Sequence, residues 1–255
     1  MGLFIWSTTP SKIFVWDTQI SKVFVWDTKV RPSGWQPWAD TLLYLPLESD
    51  FVDQSWQATT RVFTTNWLSY TTVWWVPSVH IWTTWWAKLT TPYPLQSDIT
   101  KPLTISLLIY ITNTNNRNFL DTAAENYERL SLIMRDWKLK FTTWEFIWYS
   151  DTYYANLAHT IPTNQRVYIT CTVSTTATKM FVNGQEVESW NGWRYPRSCW
   201  GRSRDKTQWI FCTREVSSYA SWLNWNAREL ILEQVEWTAQ EVANYYDRIK
   251  AKLWI

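Results

Sequence analysis

The chain has 255 residues and a formal net charge of +2 at pH 7, with 24 basic and 22 acidic residues interspersed along it. This length suffices for one large domain with a buried core. The small net charge gives no reason to expect a nucleic acid as a partner. We expect no membrane insertion and no signal peptide, because no stretch has the required length and apolarity.

Residues 1–34 contain a repeat of ten residues. Ser11–Ile20 reads SKIFVWDTQI, Ser21–Val30 reads SKVFVWDTKV, and Leu3–Pro10 is a degenerate first copy. Each copy is a short β-rich run followed by a turn, and three such units bury little area alone. We predict a small β arm at residues 1–34 that docks on a neighbour, with a flexible leader as the alternative. The aperiodic residues 35–40 are the predicted linker.

Residues 41–255 form the predicted main domain. Short runs in which apolar and polar side chains alternate are typical of strands with one buried face. The predicted strands are Thr41–Leu47, Arg61–Thr65, Ser78–Ile81, Ala87–Leu95, Leu103–Thr112, Leu130–Arg135, Lys138–Thr142, Glu145–Tyr149, Val167–Val173, Lys179–Val182, Gln185–Ser189, Trp209–Thr213 and Arg228–Glu233. Asn113–Asn118 is predicted to be an exposed loop.

The stretch Arg166–Ser189 is the clearest predicted hairpin. Asn183-Gly184 predicts a type I′ turn, because that turn needs a positive φ at both central residues. The residues predicted to share one apolar face of the first strand are Val167, Ile169, Cys171 and Val173. An antiparallel meander with one apolar face must pack on a second layer, so we predict a second sheet.

A helix is predicted after the last strand. Thr238 and Glu241 have the spacing of a capping box, in which each side chain bonds the backbone amide of the other residue. The helix is predicted to run to about Lys252 and to pack on the sheets. Its predicted buried stripe is Val242, Tyr245, Tyr246 and Ile249.

Three stretches resemble the laminin-G-like, concanavalin-type jelly rolls. Phe181–Gly184 resembles the family's Y/F-V-N-G hairpin, Leu42–Ser55 its opening strand and D-x-S-G loop, and Ala227–Tyr246 its closing strand and short helix. The resemblance implies an all-β fold over residues 41–255: a two-sheet antiparallel jelly-roll sandwich with a short C-terminal helix. The repeats in residues 1–34 resemble those of phage structural, tail-associated proteins.

Tryptophan is abundant and glycine is scarce. The chain has 23 tryptophans and 5 glycines, whereas ordinary usage near ~7% would give roughly 18 glycines. The tryptophans that stand where turns call for glycine include Trp56, Trp67, Trp74, Trp75, Trp85, Trp86, Trp137 and Trp225. We predict that many of their codons are UGA, which some bacterial lineages and their phages read as glycine. The alternative is a genuinely tryptophan-rich protein with stacking platforms for sugars; Trp35, Trp38 and Trp237 fit as true tryptophans.

The chain has three cysteines, Cys171, Cys199 and Cys212. An odd count without a secretion signal argues against a disulfide framework. Cys171 is predicted to be a buried thiol on the apolar face of its strand, and a Cys199–Cys212 disulfide is left open.

Two groups of residues are candidates for binding. The long loop at residues 190–207 carries Arg194, Arg197, Arg202 and Arg204. Loops of this length are often functional, and this basic cluster could meet an acidic glycan or a neighbouring subunit; a solvated loop is the alternative. The resemblance implies a Ca²⁺ site, for which Asp50 and Asp53 are the candidate ligands, although loop carboxylates are more often merely solvated.

The sequence predicts no catalytic site. A glycosidase on this fold needs two carboxylates facing each other across a sugar, and the concanavalin-like glucanases carry them as E-x-D-x-x-E on one strand. Glu233 and Glu236 lack the central aspartate, and Glu145 stands alone. His80 and His159 lie in unrelated contexts, so neither a zinc site nor a histidine-based triad is expected.

These observations predict a non-catalytic binding or adhesion protein of the virion or the cell surface. Its jelly roll would recognise a glycan or a protein partner, and residues 1–34 would attach it. A glycoside hydrolase on the same fold is the alternative, and capsid decoration without a ligand is a third reading. Besides Ca²⁺ no cofactor is expected. Homo-oligomers are a further expectation, since fibre-borne domains of this kind are often trimeric.

Overall fold

The structure is a computed structural model. It describes residues 41–47, 54–55, 62–66, 69–73, 76–81, 86–91, 102–112, 117–121, 128–147, 150–174, 176–191, 208–210 and 225–253. All of them lie in the second of the two units into which the chain divides, residues 38–255. The predicted arm at residues 1–34 and the linker at residues 35–40 lie outside the described residues and stay predictions.

The described residues form strands and one helix, all numbered here in chain order. The elements are β1 (Thr41–Leu45), β2 (Val62–Asn66), β3 (Ser69–Val73), β4 (Val76–Ile81), β5 (Trp86–Thr91), β6 (Leu103–Ile111), β7 (Arg117–Asp121), β8 (Glu128–Arg135), β9 (Lys138–Ile147), β10 (Ser150–His159), β11 (Gln165–Val173), β12 (Thr178–Val182), β13 (Gln185–Trp190), β14 (Gln208–Ile210), β15 (Trp225–Glu233) and α1 (Ala239–Leu253).

The strands pair into two antiparallel sheets. The eight-stranded sheet has the order β13-β12-β11-β6-β15-β4-β3, with β1 also paired to β15. The seven-stranded sheet has the order β10-β9-β8-β7-β14-β5-β2. The predicted all-β, two-sheet jelly-roll sandwich with a short C-terminal helix is confirmed.

One apolar core lies between the sheets. In the eight-stranded sheet Leu107 pairs with Ile169 and Ile109 with Val167, so alternate residues of β6 and β11 form the floor of the core. The seven-stranded sheet contributes residues such as Phe141, which is fully buried. Burying a side chain of this size stabilises the fold by roughly 1.5–3 kcal/mol. Cys171 belongs to the same core, so its predicted burial is confirmed.

The turn between β12 and β13 has the predicted geometry. Asn183 and Gly184 have φ values of 51° and 80°, as a type I′ turn requires. The Asn183 side chain accepts a hydrogen bond from the Tyr168 backbone amide at 2.9 Å, and the Asn183 amide donates to the Tyr168 carbonyl at 2.8 Å. These two bonds continue the β11–β12 ladder into the turn.

The predicted apolar face of β11 is confirmed, and the opposite, more polar face is buried too. Tyr168, Thr170 and Thr172 on the opposite face of β11 are buried as well, because α1 lies over this face. The Tyr168 ring stacks on those of Tyr245 and Tyr246, with centroids 5.6 Å and 6.2 Å apart. On this face Ser106 bonds both Tyr168 and Thr170, whereas the buried hydroxyl of Thr172 has no hydrogen-bond partner among the described residues.

The predicted capping box begins α1. The Glu241 amide donates to the Thr238 hydroxyl at 3.2 Å, and the Thr238 amide donates to the Glu241 carboxylate at 2.8 Å. Val242, Tyr245 and Ile249 are buried as predicted, whereas Tyr246 is only half-buried.

Several predicted boundaries were wrong. β3, β7 and β10 were not predicted, and the predicted loop Asn113–Asn118 overlaps the start of β7. β3 is exposed at its three central residues, so no apolar period marks it. Trp86 and Trp225 begin strands and are paired in ladders, so their assignment to turns was also wrong.

Candidate functional site

A line of hydrogen-bonding side chains crosses five strands of the eight-stranded sheet. Register pairs Arg166 with Tyr110, Tyr110 with Asn226, Asn226 with His80, and His80 with Ser69. We call these five residues the outer row. Neighbouring strands lie about 4.8 Å apart, so the row spans about 19 Å when followed from strand to strand along the sheet.

The row lies on the outer face of its sheet. The adjacent positions Val167, Ile109, Ala227 and Val79 belong to the core between the sheets. Successive residues of a strand point to opposite faces, so the outer row points away from the core. Four of its members are half-buried and Asn226 is buried.

Hydrogen bonds order the middle of the outer row. His80 Nδ1 and Asn226 Oδ1 are 2.8 Å apart. This contact favours the tautomer of His80 with a proton on Nδ1, which donates to the amide oxygen. The imidazole and the amide are therefore held in fixed orientations before any ligand arrives.

Arg166 stands at the β11 end of the outer row. Its guanidinium donates to the backbone carbonyl of Val73, so the end of β3 approaches this part of the outer face. Burial lowers the pKa of Arg166, and the nearby positive charge of Arg228 lowers it further.

Arg228 occupies a bulge in β15 that the change of neighbouring strand explains. One edge of β15 pairs with β4 at Trp225–Ala227 and with β1 at Leu230–Glu233, and the register shifts between Ala227 and Glu229. The Arg228 guanidinium donates to the Pro46 carbonyl at 2.7 Å, just beyond the end of β1. This hydrogen bond ties β15 to the residue that follows β1, so Arg228 has a structural role in the sheet.

Helix α1 covers the same outer face next to the outer row. The Tyr168 hydroxyl lies 2.5 Å from Ser106 Oγ, which lies 2.6 Å from Thr170 Oγ1. The Tyr245 hydroxyl donates to Glu229 at 2.6 Å. These polar groups bond one another beneath or beside α1, so the accessible part of the face begins at the outer row.

The binding residues predicted from sequence lie outside the described residues. These are Arg194, Arg197, Arg202 and Arg204 for an acidic ligand, and Asp50 and Asp53 for Ca²⁺. They stay predictions, as does the Cys199–Cys212 disulfide. Across the described stretches, no group of three or more His, Cys, Asp or Glu residues could hold a metal ion, and no helix is long and apolar enough to span a membrane.

The carboxylate of Glu233 is a structural group. It is buried and accepts hydrogen bonds from Trp237 Nε1 at 2.5 Å and from Thr41 Oγ1 at 3.1 Å. These bonds hold it among β1, β15 and the start of α1, away from any surface that a saccharide could reach. Glu233 is therefore excluded as a glycosidase residue.

The sequence indicated that Glu145 stands alone, but in the sheet it has an acidic neighbour on the adjacent strand. Register places it directly opposite Glu128, on the neighbouring strand β8. The two acidic residues are 17 positions apart in the sequence, so no single-strand motif could have found this pair.

Comparison with protein families agrees with this fold. Residues 86–210 match the family described as the concanavalin A-like lectin/glucanases superfamily, a laminin G family. This part of the chain is similar to a concanavalin A-like domain. The comparison with curated proteins found no match.

Solved structures share the concanavalin A-like fold of this chain. They include the receptor-binding domain of botulinum neurotoxin D, with a TM-score of 0.62 and 14% identity over 82% of this chain and 52% of that one. A structure of neurotoxin type C, whose cell entry depends on two ganglioside molecules, has a TM-score of 0.63, 14% identity and coverage of 82% and 51%.

A third similar structure is the binding domain of neurotoxin DC in complex with rat synaptotagmin II, with a TM-score of 0.62, 13% identity and coverage of 82% and 51%. The concanavalin A-like chain spans only 51% to 52% of the length of these three structures. At this level of identity they show the fold alone.

Proposed function

We propose that this chain is a non-catalytic recognition protein whose concanavalin A-like domain binds a glycan or a protein partner. The outer row carries the proposal, because it lines up arginine, tyrosine, asparagine, histidine and serine on one outer face. Such groups suit the hydroxyls of a sugar or the polar groups of a peptide. The similar neurotoxin structures support it, since type C interacts with gangliosides and DC binds synaptotagmin II.

The test is binding by the purified protein on a glycan array and a panel of extracellular proteins. Tyr110→Ala removes a member of the outer row and is expected to weaken binding about tenfold or more, as loss of a central aromatic contact does. Tyr70→Ala is the matched control, because Tyr70 is exposed and pairs with core-facing Val79. Equal binding by both variants would place the ligand elsewhere, and retention of no ligand would favour a purely structural role.

A glycoside hydrolase is the second candidate, and the register pair Glu128 and Glu145 favours it. Directly opposite positions of antiparallel strands are near neighbours, and glycosidases use a pair of carboxyl groups on either side of the scissile bond. Turnover of a β-glucan that Glu145→Gln and Glu128→Gln each abolish would establish this alternative. Glu188→Gln, on β13, is the matched control.

We further propose that the protein is located on a virion or at a cell surface and that residues 1–34 attach it there. The ten-residue repeat supports this assignment. Deleting residues 1–34 should release the domain from its particle or cell without altering ligand binding in solution. Light scattering of both forms would show whether the protein forms homo-oligomers.

We also propose that many of the tryptophans are recoded glycines. Trp137 supports the proposal because it has a φ of 66°, a conformation that favours glycine. Trp237 fits as a true tryptophan, since its buried indole bonds Glu233. Sequencing the source nucleic acid decides: UGA at Trp56, Trp67 and Trp137 is expected, and UGG at these positions refutes it.

A further inference from the structure

Arg166 is held in place at the β11 end of the outer row, and Arg228 is held in the bulge of β15. The guanidinium of Arg166 donates to the carbonyl of Val73, and that of Arg228 donates to the carbonyl of Pro46. Burial lowers the pKa of Arg166, and the positive charge of Arg228 lowers it further.

We propose that this end of the outer row, with Arg166 and Tyr110 at its centre, recognises the carboxylate of an acidic saccharide. A guanidinium carries N–H donors in a planar fork, so Arg166 can hold the Val73 carbonyl and a carboxylate together. Partial burial strengthens this attraction relative to that of a fully hydrated arginine.

The rest of the outer row favours a saccharide over a simple anion. Tyr110 pairs directly with Arg166 and places an aromatic side chain beside the proposed carboxylate subsite. Beyond it, the pre-oriented His80 and Asn226 side chains offer donor and acceptor groups to hydroxyls. One sugar ring next to Arg166 would thus carry the acid, and neighbouring rings would follow the row towards Ser69.

This inference rests on the proposed recognition function and adds the ligand class. The experiment compares an oligosaccharide that contains a uronic or sialic acid with its carboxyl-reduced counterpart, in which only the carboxylate has become an alcohol. Binding of both to the whole chain is measured by calorimetry. Charge-assisted hydrogen bonds contribute about 1.5–3 kcal/mol, so the acidic form should bind about tenfold tighter or more.

Two variants test the role of Arg166. Arg166→Gln should abolish the preference for the acid, so that the acidic and the reduced saccharide bind this variant with similar affinity. Arg166→Lys keeps the positive charge but lacks the planar set of N–H donors of a guanidinium, so it should retain part of the preference for the acidic saccharide. Arg135→Gln is the matched control, because Arg135 is an exposed arginine on the other sheet, and it should retain the full preference.

The wild-type protein supplies a measurement that does not depend on folding of the variants. Raising the salt concentration should weaken binding of the acid and leave the reduced form nearly unchanged. Equal affinity of both saccharides would overturn the acidic subsite and leave glycan recognition intact. Binding of neither saccharide by the wild-type protein would overturn the subsite, and absence of any ligand on the wider panels would overturn the recognition function too.

Discussion

Trp137 occupies the second position of the β8–β9 turn with a φ of 66°, and its side chain is 70% exposed. A residue with a Cβ in this left-handed region is strained by roughly 1–2 kcal/mol. Because the indole is exposed, burial of its apolar surface contributes little stabilisation to offset this strain. We therefore expect Trp137→Gly to raise the free energy of unfolding by about 1 kcal/mol, as measured by urea denaturation.

Trp190→Gly is the matched control for that substitution. Trp190 is also partly exposed, at 43%, but it ends strand β13 and is not among the residues with positive φ. Glycine in an extended strand costs about 0.5–1 kcal/mol of stability. The two identical substitutions should therefore have opposite signs, and destabilisation by both would show that the Trp137 turn is not strained.

Gly184 satisfies two requirements at one position. Its φ is +80°, and a Cβ there would lie 3.0 Å from Tyr246 on α1. Gly184→Ala should therefore lower the free energy of unfolding by about 1–3 kcal/mol, from backbone strain and from the close contact. Combining it with Tyr246→Ala removes only the contact. A non-additive double mutant would assign part of the cost to Tyr246, and strict additivity would assign all of it to φ.

At the scale of elements, the Thr238–Glu241 capping box fixes where α1 begins. Thr238→Ala removes the acceptor for the Glu241 amide and is expected to destabilise the protein by about 1 kcal/mol. Thr238→Ser keeps a hydroxyl and should lose much less, as followed by thermal unfolding. If both variants melted alike, the hydrogen bond would not be what stabilises the helix start.

Elements with local signals could be predicted, and those without them could not. The Asn183-Gly184 turn and the capping box depend on residues a few positions apart, so the chain itself specifies them. β3 carries exposed Tyr70, Thr71 and Thr72 and is a strand only because β4 pairs with it. The buried polar face of β11 likewise depends on α1, whose sequence lies about 70 positions later.

At the scale of the whole molecule, buried tyrosines link stability to alkaline pH. Burial raises the pKa of Tyr168 and of Tyr245, and the charge of Glu229 raises both further. In the unfolded chain a tyrosine ionises near pH 10 (about the model-peptide value). Above that pH the unfolded state loses protons that the native state keeps, so the free energy of unfolding should fall by about 1.4 kcal/mol per pH unit for each tyrosine.

Urea denaturation at a series of pH values above 10 measures this slope. Tyr168→Phe removes one of the two groups and should make the fall with pH shallower by about 1.4 kcal/mol per unit. The variant also loses the contact with Ser106, so the slope is the informative quantity and not the stability at pH 7. An unchanged slope would mean that Tyr168 ionises in the native state as easily as in the unfolded chain.

The candidate site could not be predicted because only sheet topology brings it together. Ser69, His80, Tyr110, Arg166 and Asn226 belong to five strands whose order in the sheet is not their order in the chain. Each is an ordinary polar position in an alternating strand when viewed alone. Sequence reasoning turned instead to the arginines of one loop, which lie close together in the chain.

Strand β15 lies in the middle of the eight-stranded sheet, although it is the last strand in the described chain. On a ribosome, β6 and β4 are both made before the strand that will lie between them. Until residues 225–233 emerge, the nascent chain holds two uncovered strand edges, and such edges can pair with other chains. The domain therefore completes its sheet only after residues 225–233 have emerged, and a ribosome that stalls before residue 225 would display an aggregation-prone intermediate.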